Sequence, residues 1–223
     1  MPPARHDSEV LQILATEHWS LLATRALTYQ ESLGRVNMFL AILSGAVIAL
    51  ALIAQADRFG AVFISTAIFM LAVVYFVGVA TIRRLIMLNR DDFTWVLAMN
   101  RLRHAYLELH PELEPNFITS PHDDLAGALQ TLGLSRDNAP LMGSIVHGFV
   151  TLPGMLGAIV SAVGAGIAAL AAVGFGAPAY GVLLAGVAAF AVSLTALFRS
   201  GRRSYRGDGG VESRFPTPGE PNT

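Results

Sequence analysis

The sequence has no cysteine, which removes disulfides and thiolate metal sites from consideration. It has no lysine either; all 15 basic residues are arginine. A high-GC, bacterial coding sequence produces that bias, and arginine also suits phosphate head groups. Charge is scarce, at 14% of residues where an average soluble domain carries about a quarter. The net charge of −1 gives no general attraction to nucleic acid. The first 35 residues carry seven charges and no short apolar core, so a cleavable signal peptide is not expected. Also missing are a P-loop, paired phosphate-binding glycines, a serine nucleophile elbow and an HExxH motif.

Charge is also unevenly placed. Val36 to Ala56 is 21 residues without one, Phe59 to Ile82 is 24, and Ala139 to Phe198 is 60. A hydrocarbon core about 30 Å thick takes about 20 helical residues. The first two runs therefore fit one span each and the third fits two. The expected fold is all-α: an integral-membrane four-helix bundle of two transmembrane hairpins with cytoplasmic helical extensions.

Its expected segments follow in chain order. Residues 1–35 form a cytoplasmic or interfacial amphipathic helix, with Leu11, Leu14, Trp19, Leu22, Ala26, Tyr29 and Leu33 at three- and four-residue steps. Residues 36–84 form the first hairpin, with spans at about 36–56 and 60–82. Residues 85–140 form a cytoplasmic helical segment. It is broken at His110-Pro111 and restarts with Ser120 as cap, Pro121 first, and Asp123 and Asp124 in the first turn. Residues 141–198 form the second hairpin, with spans at about 149–173 and 179–198, an interfacial start over 143–149 and a kink at Pro153-Gly154. Residues 199–223, rich in Arg, Gly and Pro, are expected to be a disordered cytoplasmic tail.

Orientation follows from arginine. Fourteen of the 15 fall on one side of this arrangement: three before the first span, six between the hairpins and five after the last span. Arg58, in the first connection, is the exception. The positive-inside rule then places both ends and the central segment in the cytoplasm of a multi-pass inner (plasma) membrane protein.

Candidate chemistry is sparse. His122-Asp123-Asp124 has metal-ligand types, but acids at a helix start already complement its dipole. His104 and Glu108 share a helix face without a third ligand. No metal and no cofactor is expected. The spans hold no Asp, Glu or Arg, which argues against ion-coupled pumps and leaves a channel open. From Leu141 to Phe198, 24 of 58 residues are Gly or Ala. Gly157, Ser161 and Ala165 recur four apart, as do Ala158, Ala162 and Gly166, the spacing at which helices approach closely. These are helix-packing candidates, either between copies or within one chain. In the central segment Arg101, Arg103, His104 and Tyr106 are candidates for interaction with anionic lipid, a phosphate or a partner. The competing reading is a solvated face with local ion pairs.

The order of segments in residues 8–110 resembles the bacterial SLATT-type effectors of nucleotide-signalling conflict systems, in which a helix leads into a two-span hairpin and a cytoplasmic helix. The matching segments here are Glu17-His18-Trp19 to Arg35-Val36-Asn37, the hairpin, and Asn100 to Tyr106. The opening is also similar to that of many actinobacterial membrane proteins. The effector resemblance implies an oligomeric pore or membrane-disrupting assembly. From the residues themselves the expectation is a non-enzymatic membrane protein in the lipid bilayer. It self-associates as a homo-oligomer, its cytoplasmic helices mediating assembly or binding an unidentified cytoplasmic protein. A channel or pore-forming effector is the alternative, and a lipid-modifying membrane enzyme the second.

Overall fold

The computed structural model describes residues 4–133, 151–206 and 212–219. The fold is helical over 85% of its residues, with no strand among those described. Helix α1 covers Ala4–Asp57 and α2 covers Ala61–Leu109. A 3₁₀ turn, Pro111–Asn116, and a short α3, Leu125–Thr131, follow. Helices α4 (Leu152–Gly174) and α5 (Ala179–Arg206) complete the chain. Four of these, α1, α2, α4 and α5, are long and apolar enough to cross a bilayer. In the most apolar window of α1 only 6% is buried within the protein. Such a surface suits hydrocarbon and is too apolar for water.

The chain forms two compact units: residues 31–87 with 143–207, here the apolar unit, and residues 1–30, 88–142 and 208–223, the polar unit.

In the apolar unit, a tight turn joins α1 to α2. The Asp57 carbonyl accepts from the Gly60 N–H at 2.9 Å, and its side chain caps α2 by accepting from the Phe63 N–H at 2.7 Å. Arg58 and Phe59 both adopt left-handed backbone, at φ 48° and 62°. A Cβ on Gly60 would meet the Asp57 carboxylate at 2.8 Å, so the cap itself requires glycine there. Beyond this turn, Ala54, Phe63 and Ala67 form a small core with Leu170 of α4 packed on it. Glu31 closes the opposite end. It takes two hydrogen bonds from Arg84, at 3.0 and 3.1 Å, and one from Arg35 at 2.8 Å. The bonds from Arg84, then Arg35, hold its carboxyl at about 2.

The small-residue candidates lie on α4, which packs against α5. Gly157 and Ser161 are buried, and the Ser161 hydroxyl donates to the Gly157 carbonyl at 2.7 Å. The Ala165 carbonyl lies 3.6 Å from where a Cβ on Gly186 would be. Gly166 faces Leu71, while Ala162 is exposed and Ala158 half-buried. Both rows thus have members that face the chain's own interior, while a Cβ on Gly157 would meet nothing within 4 Å and Ala162 is open.

Three local expectations change. Pro153 and Gly154 start α4 where a kink was expected, because Thr151 caps the helix by accepting from the Gly154 N–H at 3.3 Å and Pro153 needs no hydrogen bond in the first turn. The expected interfacial start over 143–149 lies outside the described residues. The tail expected to be disordered from 199 instead continues α5 to Arg206, and residues 212–219 have defined positions in the polar unit.

Gly78 of α2 marks the tightest contact in the apolar unit. A Cβ there would overlap the Val160 methyl and reach Phe39 at 2.9 Å. Gly78→Ala is expected to cost about 1–3 kcal/mol by overpacking. Val160→Ala in the same chain should recover some of that loss, read as thermal unfolding in detergent.

Candidate functional site

The polar unit concentrates the buried polar side chains. Its apolar centre is small: Val96, Leu97 and Ala128, with Phe93 against them. Around it lie Asn100, Arg103, Ser120 and Asp123, all buried. Buried polar groups need partners, and these find them in one network.

Asn100 on α2 is the hub. Its Nδ2 donates to the His122 carbonyl at 2.8 Å. Its Oδ1 accepts from Arg103 at 2.6 Å and from the Thr131 hydroxyl at 2.9 Å. Thr131 in turn accepts from the Ser120 N–H at 3.2 Å, and the Ser120 hydroxyl accepts from the His122 N–H at 3.1 Å. The loop 117–124 is thereby fixed to α2 and α3. Gly127 completes the fit, since a Cβ there would overlap the His122 carbonyl.

This arrangement corrects the expected helix start. Helix α3 begins at Leu125 with Asp124 as its cap, accepting from the Gly127 N–H at 2.7 Å, and not at Ser120-Pro121. Ser120 is occupied within the loop, and Asp123 faces elsewhere.

Asp123 is 1% exposed and is surrounded by the tail. It accepts from the Ser213 hydroxyl at 2.9 Å, the Arg214 N–H at 3.1 Å and the Phe215 N–H at 2.7 Å. Arg101 Nε donates to it at 2.7 Å, and Arg101 Nη2 reaches the Glu212 carbonyl at 2.8 Å. The Asp123 N–H donates back to the Phe215 carbonyl at 3.2 Å. Asp124 accepts from the Thr217 N–H at 2.7 Å and the Thr217 hydroxyl at 2.9 Å. The Phe215 ring stacks on His104, centroids 3.8 Å apart at 19°. Two carboxylates, one guanidinium and one imidazole thus form a cradle that reads an extended segment mainly by its backbone N–H groups. Burial pushes the Asp123 carboxyl up, but the Arg214 and Phe215 N–H groups, Arg101 and Ser213 outweigh it and hold it below its usual value.

The sequence candidates therefore separate. Arg101 and His104 belong to the cradle. His104 also faces Glu108 at 3.6 Å, with no third ligand beside them. Among the described residues no group of three His, Asp or Glu could hold a metal ion. Arg103, an interaction candidate whose competing reading was a solvated face, is 9% exposed and donates to Asn100 at 2.6 Å. Tyr106 lies across from His18 of α1, ring centroids 6.3 Å apart. Sequence reasoning missed Asn100, the tail residues Ser213 to Thr217, and His18. No short-range signal marks a contact made across 90 residues.

On α1 polar and apolar side chains are found on both the inner and the outer side. His18, Arg25 and Leu21 turn inward, and Arg25 makes a two-pronged pair with Asp92 at 2.7 and 3.1 Å. Leu11 and Leu14 are half-buried. Trp19 (70% exposed), Leu22, Ala26 and Tyr29 (63%) lie on the outside, spaced three and four apart.

Asp123→Asn is expected to release the segment 213–217. A broken buried charge network costs about 3 kcal/mol, so amide exchange at Arg214, Phe215 and Thr217 should accelerate on the order of a hundredfold. Because the folded Asp123 carboxyl is depressed, its stabilisation is complete above the ordinary carboxyl value of about 4 and is lost as pH falls below it. Amide protection of the tail, followed by hydrogen exchange from pH 7 to pH 3, should decline only at the acid end.

Comparison with protein-family models, with curated proteins and with solved structures found no match to this chain.

Proposed function

We propose that this chain is a non-enzymatic, multi-pass protein of a bacterial inner membrane, with four spans in two hairpins packed as a bundle. Both ends and the polar unit lie in the cytoplasm, and copies self-associate through the cytoplasmic helices. The arginine distribution supports the sidedness. The outward apolar stripe of α1 carries the self-association.

Trp19, Leu22, Ala26 and Tyr29, followed by Leu33 on the next turn, have the a/d spacing of a coiled-coil seam. A helix that leaves this apolar row outside is only half partnered. The stripe leads into the charge-free run from Val36 on the same helix. Copies inserted in the same direction present identical stripes at the same height, so a parallel α1–α1 pairing needs no other surface. Trp19, at its start, and Tyr29, near its end, are of the aromatic type that dominates such contacts.

The absence of cysteine makes the test direct. In isolated membranes treated with a copper–phenanthroline oxidant, Ala26→Cys is expected to form a disulfide-linked dimer, and Ser20→Cys, on the far side of α1, is not. Trp19→Glu should weaken association about tenfold or more, as loss of an aromatic anchor costs about 2 kcal/mol, visible as a shift to monomer by native mass spectrometry. A wild-type chain that stays monomeric in mild detergent at all concentrations would sink the proposal.

A further inference from the structure

We propose that the α1–α2 interface of the polar unit binds a phosphate-class oxyanion between Arg103, Arg25 and His18. Three observations carry this, independent of the tail cradle and of self-association.

The first is Arg103. Its guanidinium is buried and makes one hydrogen bond, from Nη1 to Asn100. A guanidinium offers five donors. Among the described residues no carboxylate pairs with it; Asp92 is taken by Arg25 and Asp123 by Arg101. A buried cation without a counter-charge is strongly disfavoured.

The second is Arg25. It reaches the Sδ of Met99, one turn before Arg103 on α2, at 3.9 Å. Arg25, itself paired with Asp92, is thus the charged neighbour that acts on Arg103, and it has the same sign. Burial and then the Arg25 charge hold the Arg103 guanidinium below its usual value.

The third is His18, two turns from Arg25 on α1. Its Nδ1 is buried and has no hydrogen-bond partner. Tyr106, one turn past Arg103, bounds the same side. Burial first, then Arg103, keep the imidazole toward its neutral form, in which one ring nitrogen still donates.

Arg103 and the unpartnered His18 nitrogen, from two helices, lie along the same stretch of the α1–α2 interface, where the carboxylate of Asp92 is already taken by Arg25. A guanidinium fork takes two oxygens of one tetrahedral group, and the imidazole takes a third. Phosphate has that shape and charge. It has two possible sources, a soluble phosphate compound or the headgroup phosphate of a lipid.

The test uses the full-length protein in dodecyl maltoside micelles, which contain no phosphorus. Inorganic phosphate is titrated against chloride at constant ionic strength while the unfolding temperature is recorded. A saturable rise specific to phosphate is expected in the wild type. Arg103→Gln and His18→Phe should each weaken it at least tenfold. His18→Phe keeps a ring at the interface and leaves the Asn100 network alone, so it remains informative if Arg103→Gln fails to fold. Arg101→Gln, which loosens the tail, should leave the shift intact. A lipid source shows instead as phospholipid that stays bound in native mass spectra of the wild type, blocks the phosphate shift, and is lost from His18→Phe. Equal shifts in wild type and both variants overturn the proposal. So does the absence of any phosphate-specific shift together with no retained lipid.

Discussion

A carboxylate taken out of water must be met by donors, and the polar unit is organised by meeting that demand at Asp123. Arg101 supplies the counter-charge, and the backbone of residues 214–215 and the Ser213 hydroxyl supply the rest. Only a few apolar side chains lie beneath, so hydrogen bonding decides where the loop and the tail go. Asn100 has the complementary role beside Arg101 on α2, tying the loop to α2 and α3 from the other side. Remove the donors and Asp123 becomes an isolated buried charge; remove Asp123 and the tail keeps only its contacts with Arg101, His104 and Asp124.

The two units differ in the chemistry of their helices. In the apolar unit the outer side chains are largely apolar and packing depends on close approach, as at Gly78. Where water surrounds a helix, polar side chains normally face out. Helix α1 keeps its apolar stripe outside in both units and turns Arg25, His18 and Leu21 inward.

The four long apolar helices were legible from charge-free runs alone, because hydrocarbon excludes charge whatever the tertiary arrangement. The stop at His110-Pro111 was legible for a comparable local reason. Contacts made across long sequence separations were not. Asp123 and Asp124 read as a helix start because carboxylates suit a helix dipole, and only Asp124 serves that role. The burial of Arg103 was not legible, because nothing nearby in sequence announces it. The tail read as disordered from its composition, yet Ser213, Phe215 and Thr217 each find a specific partner. Composition reports the average tendency of a segment and is blind to a cradle made elsewhere.

The separation between cradle and tail also sets an order of events during synthesis. Ser213 follows Asp123 by 90 residues and Thr217 follows Asp124 by 93. At about 5–20 residues per second, roughly 5–18 s pass between their arrivals at the ribosome exit. Throughout that interval α4 and α5 are being made while the Asp123 carboxylate has only Arg101 and water. The Asp123 side of the cradle thus stays unfilled until both later helices exist, and docking of the tail there reports that the second hairpin has been completed.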